Sequence, residues 1–97
     1  MPTEKSLQQW TKKKVKECGG LCYKFEAPGQ PGVPDLLIVL PRGKIFFIEL
    51  KSPMKTGRLS AIQRYRIDEL REHGATVFVC DSKELVLAAL RREGCDV

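Results

Sequence analysis

The sequence predicts an α/β fold, a mixed sheet flanked by helices, and three observations carry that prediction. Residues 3–18 repeat apolar side chains at helical spacing. Residues 34–51, PDLLIVLPRGKIFFIELK, are two apolar runs joined by a turn. Residues 75–80, ATVFVC, form a β-branched apolar run that follows a capped helix, which in turn follows a strand, the crossover that gives parallel pairing.

The first helix is expected from Thr3, a good N-cap, to about Cys18, with Gly19 and Gly20 ending it. Leu7, Trp10, Thr11, Val15 and Cys18 share one stripe at 100° per residue, and Glu4 falls inside it, which asks for a buried partner. Lys12, Lys13, Lys14 and Lys16 form the densest positive run, either a solvated face or a contact to a remote part of a long polyanion. Residues 21–26 alternate in character and read as a strand that returns toward the start of the helix, so that Glu4, Glu26 and Asp35 come to one end; Glu26 reads as a solvated strand-end charge. Residues 27–34, APGQPGVP, hold three prolines and two glycines and form a surface loop.

The hairpin 34–51 organises the rest. Pro41 suits the second position of a type I turn, and Gly43 supplies a left-handed residue for a three-residue loop with a bulge. That loop pairs Leu40 with Lys44 and, counting outward, Asp35 with Glu49. Opposed residues share a face with β-carbons about 5 Å apart, and period-two alternation adds Lys51 to that face. Two carboxylates so close repel unless a cation lies between them. Oxygen-only ligands suit magnesium or manganese, and an ammonium beside them can orient a water or offset charge developing on a phosphate. The chemistry implied is metal-assisted hydrolysis of a phosphodiester.

After Lys51, the loop SPMKTGR carries Lys55 and Arg58 beside this cluster, where a phosphate backbone would pass. Ser60 to Gln63 fits an S-x-x-Q capping box, opening a helix that runs to His73 and stops at Gly74. Its charges alternate: Arg64, Arg66 and Arg71 balance Asp68, Glu69 and Glu72 on a solvated outer face. His73 reads as a favourable charge at the helix end rather than a catalyst. Asp81 or Ser82 caps a last helix from Lys83 to about Glu93. There Leu85, Val86, Ala89 and Leu90 cover one side and Leu87 projects opposite, a second apolar side that another subunit would bury.

The 97 residues read as one domain, 1–97, and a net charge of +5 from 17 Lys and Arg against 12 Asp and Glu favours a polyanionic partner. No apolar run of about 18 residues and no signal-peptide pattern indicates membrane or export, so a cytoplasmic location in a bacterial or phage-infected cell is expected. Cys18, Cys22, Cys80 and Cys95 include no close CxxC pair, which speaks against structural zinc. They are expected to be reduced small apolar fillers, with Cys95 exposed.

Pro34-Asp35 followed by Glu49-Leu50-Lys51 resembles the signature of the PD-(D/E)XK nuclease superfamily. Gly32-Val33-Pro34-Asp35-Leu36-Leu37, Glu49-Leu50-Lys51, Leu59-Ser60-Ala61-Ile62-Gln63 and, near the start, Glu4-Lys5-Ser6-Leu7-Gln8 resemble the VRR-NUC family in order and spacing. The resemblance spans nearly the whole chain and implies a restriction-endonuclease-like αβββαβ core, here with a C-terminal helix, in a stand-alone domain of the phage and bacterial type. It implies a Mg2+- or Mn2+-dependent DNA endonuclease, with Glu4, Asp35, Glu49 and the carbonyl of Leu50 as metal ligands. Lys51 would position or polarise the attacking water, and Gln63 would meet the water or the scissile phosphate, a role exclusive of capping. Lys55, Arg58, Lys12 and Lys13 are the candidate DNA contacts. A homodimer would act on branched DNA as a Holliday-junction resolvase in DNA repair. A DNA-binding module without activity, and a nuclease for flaps, duplex ends or RNA, are the alternatives; the first predicts damaged catalytic positions, yet Asp35, Glu49 and Lys51 are present.

Overall fold

The computed structural model describes residues 3–52 and 58–97. Helix α1 (Glu4–Glu17) begins in a capping box: the Thr3 hydroxyl accepts from the Ser6 N–H and the Ser6 hydroxyl from the Thr3 N–H. Strands β1 (Leu21–Lys24), β2 (Leu36–Leu40) and β3 (Lys44–Leu50) follow, then α2 (Ala61–Glu72), β4 (Val77–Cys80) and α3 (Lys83–Arg92). The sheet has the order β1-β2-β3-β4; the first two pairings are antiparallel and β3 pairs with β4 in parallel.

Alternation along the strands sorts the sheet into two faces. Leu36, Ile38 and Leu40 of β2 and Phe46, Ile48 and Leu50 of β3 point to one side, where they meet Leu7 and Val15 of α1 and Val86, Ala89 and Leu90 of α3 in a single buried core. Thr11 belongs to the same stripe, and its hydroxyl donates to the Leu7 carbonyl at 2.8 Å, so its burial leaves no polar atom stranded. The other face carries Leu37, Val39, Ile45, Phe47 and Glu49, and α2 packs there beside β4, burying Ile67. Arg71 of α2 donates to the Val77 carbonyl at 2.6 Å.

The hairpin register is the expected one, Leu40 opposite Lys44 and Leu36 opposite Ile48. The turn differs from expectation: Arg42 sits at φ 73, ψ 17 and Gly43 at φ 76. Positive φ at the residue after Pro41 is type II geometry rather than type I. The strands 21–26 and 75–80 expected from the sequence are shorter in the structure, because Phe25 contributes one last N–H to Asp35 before the prolines intervene, and Thr76 only a carbonyl to Phe47.

Two expectations about the last helix and the cysteines are overturned. Leu85, not Leu87, is the exposed leucine of α3, and Leu87 is half-buried. Cys18 and Cys95 form a disulfide, and Cys95 is buried rather than exposed. The chain folds back after α3, the Cys95 N–H bonding the Leu90 carbonyl, which brings it to the C-terminal end of α1. Cys22 and Cys80 remain free, and burial pushes their thiols up to about 11 and about 12, the behaviour of apolar fillers. The bridge closes a sequence separation of 77 residues. Reduction, or Cys95→Ser, is expected to lower unfolding stability by about 2–4 kcal/mol. Urea midpoints with and without reductant measure this. Among the described residues no helix is long and apolar enough to cross a membrane.

Candidate active site

Asp35, just ahead of β2, and Glu49, near the end of β3, lie on the sheet face that α2 covers. The Asp35 carboxylate accepts from the Leu50 N–H at 2.9 Å, which ties the start of one strand to the end of its neighbour. Lys51 follows β3, its own N–H bonded to the Cys80 carbonyl, so its side chain emerges from a fixed backbone on the same face.

Glu49 is 1% exposed. Its Oε2 accepts from Gln63 Nε2 at 3.0 Å and lies 3.4 Å from Lys51 Nζ. Its Oε1 is buried with no hydrogen-bond partner among the described residues. Burial first, and the nearby Asp35 carboxylate second, push the Glu49 carboxyl up to about 7 against the pull of Lys51. A buried carboxylate oxygen without a donor, facing a second carboxylate's field, is what a hard cation's ligand set requires before the ion arrives, so the residues present fit magnesium or manganese.

Gln63 joins the parts. Its Oε1 accepts from Lys51 Nζ at 2.6 Å and from the Ser60 N–H at 3.0 Å, while the Ser60 hydroxyl accepts from the Gln63 N–H at 3.3 Å. The side chain thus caps the helix and at the same time holds Lys51 and Glu49, a link to the site other than the water or phosphate contact the sequence suggested. An amide oxygen has two lone pairs, and Gln63 spends one on the cap and one on Lys51 while its NH2 holds Glu49.

The structure does not gather Glu4 with Asp35 and Glu49. It is exposed at the start of α1, and among the described residues no three His, Cys, Asp or Glu side chains gather. The helix start does reach the right end of the sheet, but α1 packs on the opposite face from Asp35 and Glu49. Glu26 pairs with Lys24 at 3.7 Å in solvent. Leu50 has its N–H taken by Asp35 and its side chain in the core, which leaves its carbonyl as the group it can offer. Arg58 is exposed ahead of α2, Lys12 and Lys13 are exposed on α1, and Lys55 lies outside the described residues. His73 caps the C-terminus of α2, its Nδ1 2.7 Å from the Glu69 carbonyl. Sequence reasoning missed Arg66, read as a solvated charge; it bonds the Pro31 carbonyl at 2.9 Å, a tertiary contact with no signal in sequence spacing.

This fold and this constellation define a PD-(D/E)XK nuclease-like domain: a mixed four-stranded sheet between helices, with the acidic pair and lysine at the ends of the central hairpin. The VRR-NUC domain model matches residues 2–84, and the chain belongs to that family. It is 39% identical over 88 residues to the protein named "Putative nuclease p44" of Acyrthosiphon pisum secondary endosymbiont phage 1, a match covering 84% of this chain and 86% of that protein. A solved structure described as a VRR_NUC domain superposes with a TM-score of 0.85 at 34% identity, covering 94% of this chain and 97% of the other.

Proposed function

We propose that this chain is a metal-dependent DNA endonuclease acting on branched DNA as a homodimer. The observation that carries the metal and the chemistry is the buried, unpartnered Oε1 of Glu49 beside Asp35, with Lys51 held at the same carboxylate by Gln63.

Asp35 and Glu49, with the Leu50 carbonyl, would hold the ion. Bound there, magnesium or manganese would supply Lewis-acid polarisation of the phosphodiester and would acidify the attacking water. Lys51 directs one N–H to Gln63 Oε1 and another toward the Glu49 carboxylate 3.4 Å away, and its third would serve the water or a phosphate oxygen. Attack forms one P–O bond and breaks another, and the departing sugar oxygen takes up a proton. The core around β2 and β3 keeps the carboxylates within reach of each other throughout.

Arg58 would meet the phosphates nearest the site; Lys12 and Lys13, on the far face, would touch only DNA that passes around the domain. A dimer is supported better by the sheet than by α3: Leu21, Tyr23 and Ile45 are 52%, 54% and 58% exposed on the part of the site face that α2 leaves open. Two-fold pairing there would put both sites on one side of the assembly.

The test is cleavage of a four-way junction, a flap, a linear duplex and matched RNA with Mg2+ or Mn2+ and with EDTA, alongside molar mass by light scattering. Metal-dependent paired cuts in the junction by a dimer are expected, and Ile45→Asp should yield a monomer whose cuts are uncoupled. Equal cutting in EDTA, or RNA cut in preference to DNA, would replace this assignment.

A further inference from the structure

Helix α2 carries Gln63, but Ser60 and Gln63 bond mainly to each other and to the site, and the Arg71 contact is two turns further on. The first turn of α2 is instead held against residues 31 and 32. Gly32, at φ +89, lies so close to α2 that a β-carbon there would stand 2.6 Å from the Ile62 carbonyl oxygen and 2.8 Å from its carbon. Only glycine permits both that backbone conformation and that approach. One helical turn beyond Ile62, Arg66 Nε donates to the Pro31 carbonyl at 2.9 Å, and its Nη1 is 3.1 Å from Glu69 Oε1. The guanidinium also lies 5.3 Å from the Tyr65 ring centre, and the side chain is 15% exposed, so it is oriented from three directions.

The two ends of this contact lead straight to the site. Gly32 is three residues before Asp35, through the buried Pro34, and Ile62 immediately precedes Gln63. Asp35 is itself fixed, its carbonyl accepting from the Phe25 N–H and its carboxylate from the Leu50 N–H. The contact at Pro31 and Gly32 therefore sets where the Gln63 amide stands relative to Asp35, and through Gln63 it sets Lys51 and Glu49.

We propose that Arg66 is a positioning residue, latching the loop ahead of Asp35 to the first turn of α2 so that Gln63 holds Lys51 and Glu49 in their reactive arrangement. This rests on the nuclease assignment for its effect on rate, but the latch itself is a statement about Gln63. A misplacement of about 1 Å costs on the order of 100-fold in rate. Removing Arg66 frees a turn rather than deleting a reacting group, so Arg66→Ala should lower kcat at least tenfold with KM for DNA changed less than twofold. Arg66→Lys, which can still donate to the Pro31 carbonyl, should recover part of the loss.

The decisive readout does not need activity. In metal-free protein the Gln63 side-chain NH2 resonances, displaced by the bond to Glu49, should move toward free-amide positions in Arg66→Ala while the amide resonances of β2 and β3 stay in place, and return part of the way in Arg66→Lys. Unmoved Gln63 signals in a folded Arg66→Ala would overturn the latch. So would a loss confined to KM with a salt slope reduced by about one, the mark of a phosphate contact. A wild-type protein that cuts nothing would sink the nuclease assignment alone, leaving the resonance result to decide the latch. Should Arg66→Ala fail to fold, Glu69→Ala, which removes the acceptor of Nη1 and so one of the three supports of the guanidinium, gives the same test at smaller amplitude.

Discussion

Glu49→Gln is expected to lower metal-dependent cutting by on the order of a thousandfold or more, as loss of a group that acts within a catalytic unit does, and at the same time to stabilise the metal-free protein at neutral pH. The second half follows from the burial of the carboxyl. Glu49 is buried with one oxygen unpartnered, and its carboxyl is pushed from 4.5 to about 7. An acid whose pKa is raised by folding binds its proton more tightly in the native state. Its contribution to stability is full below about 4.5, falls as the unfolded chain ionises between about 4.5 and about 7, and is at its least favourable above about 7. Glutamine does not ionise. The melting temperature of Glu49→Gln should therefore gain on the wild type as pH rises through that window and keep a constant advantage beyond it. Magnesium should close the gap at pH 8, because only the wild type gains from binding the ion. A variant that melts below the wild type at pH 8 without metal, with the gap unchanged by pH, would show that Glu49 is a satisfied structural acid instead.

Lys51→Ala is expected to cost about 100- to 10,000-fold in kcat, the range for a positioned proton-transfer or charge-stabilising group. Metal affinity should be kept, since Asp35 and Glu49 both remain. The side chain is 14% exposed and reaches Gln63 Oε1 at 2.6 Å. Arginine is not a faithful replacement, because a planar guanidinium fork does not reproduce the point charge and rotatable donors that the ammonium presents to Gln63 and Glu49. DNA affinity measured in calcium, with single-turnover rates in magnesium, separates the roles: binding within threefold of wild type and a collapsed rate are expected. Undiminished cutting by Lys51→Ala would remove Lys51 from the mechanism.

Much of this site was legible in the chain because it is a consequence of local rules. Turn length sets hairpin register, register and two-residue alternation set which side chains share a face, and Asp35, Glu49 and Lys51 follow from that counting. Helix α1 was legible from its stripe and cap, and α2 from the Ser60 capping box. Glu4 shows where counting stops. Helical periodicity and chain direction brought it to the correct end of the sheet, but which face a helix packs on is decided by the summed burial of Leu7 and Val15 against β2 and β3.

Composition gave away the basic balance, and spacing within about 20 residues was enough for the α/β class, the hairpin with its acidic pair and the helix caps. Three-dimensional packing was needed to show that Cys18 meets Cys95, that Gln63 joins the cap to Lys51 and Glu49, and that Arg66 grips Pro31. Each of those joins residues from elements whose relative placement is a global compromise of packing. A cysteine, an amide or a guanidinium carries no mark in its neighbours that names such a partner, because hydrogen bonding and disulfide formation respond to distance in space and not to position along the chain.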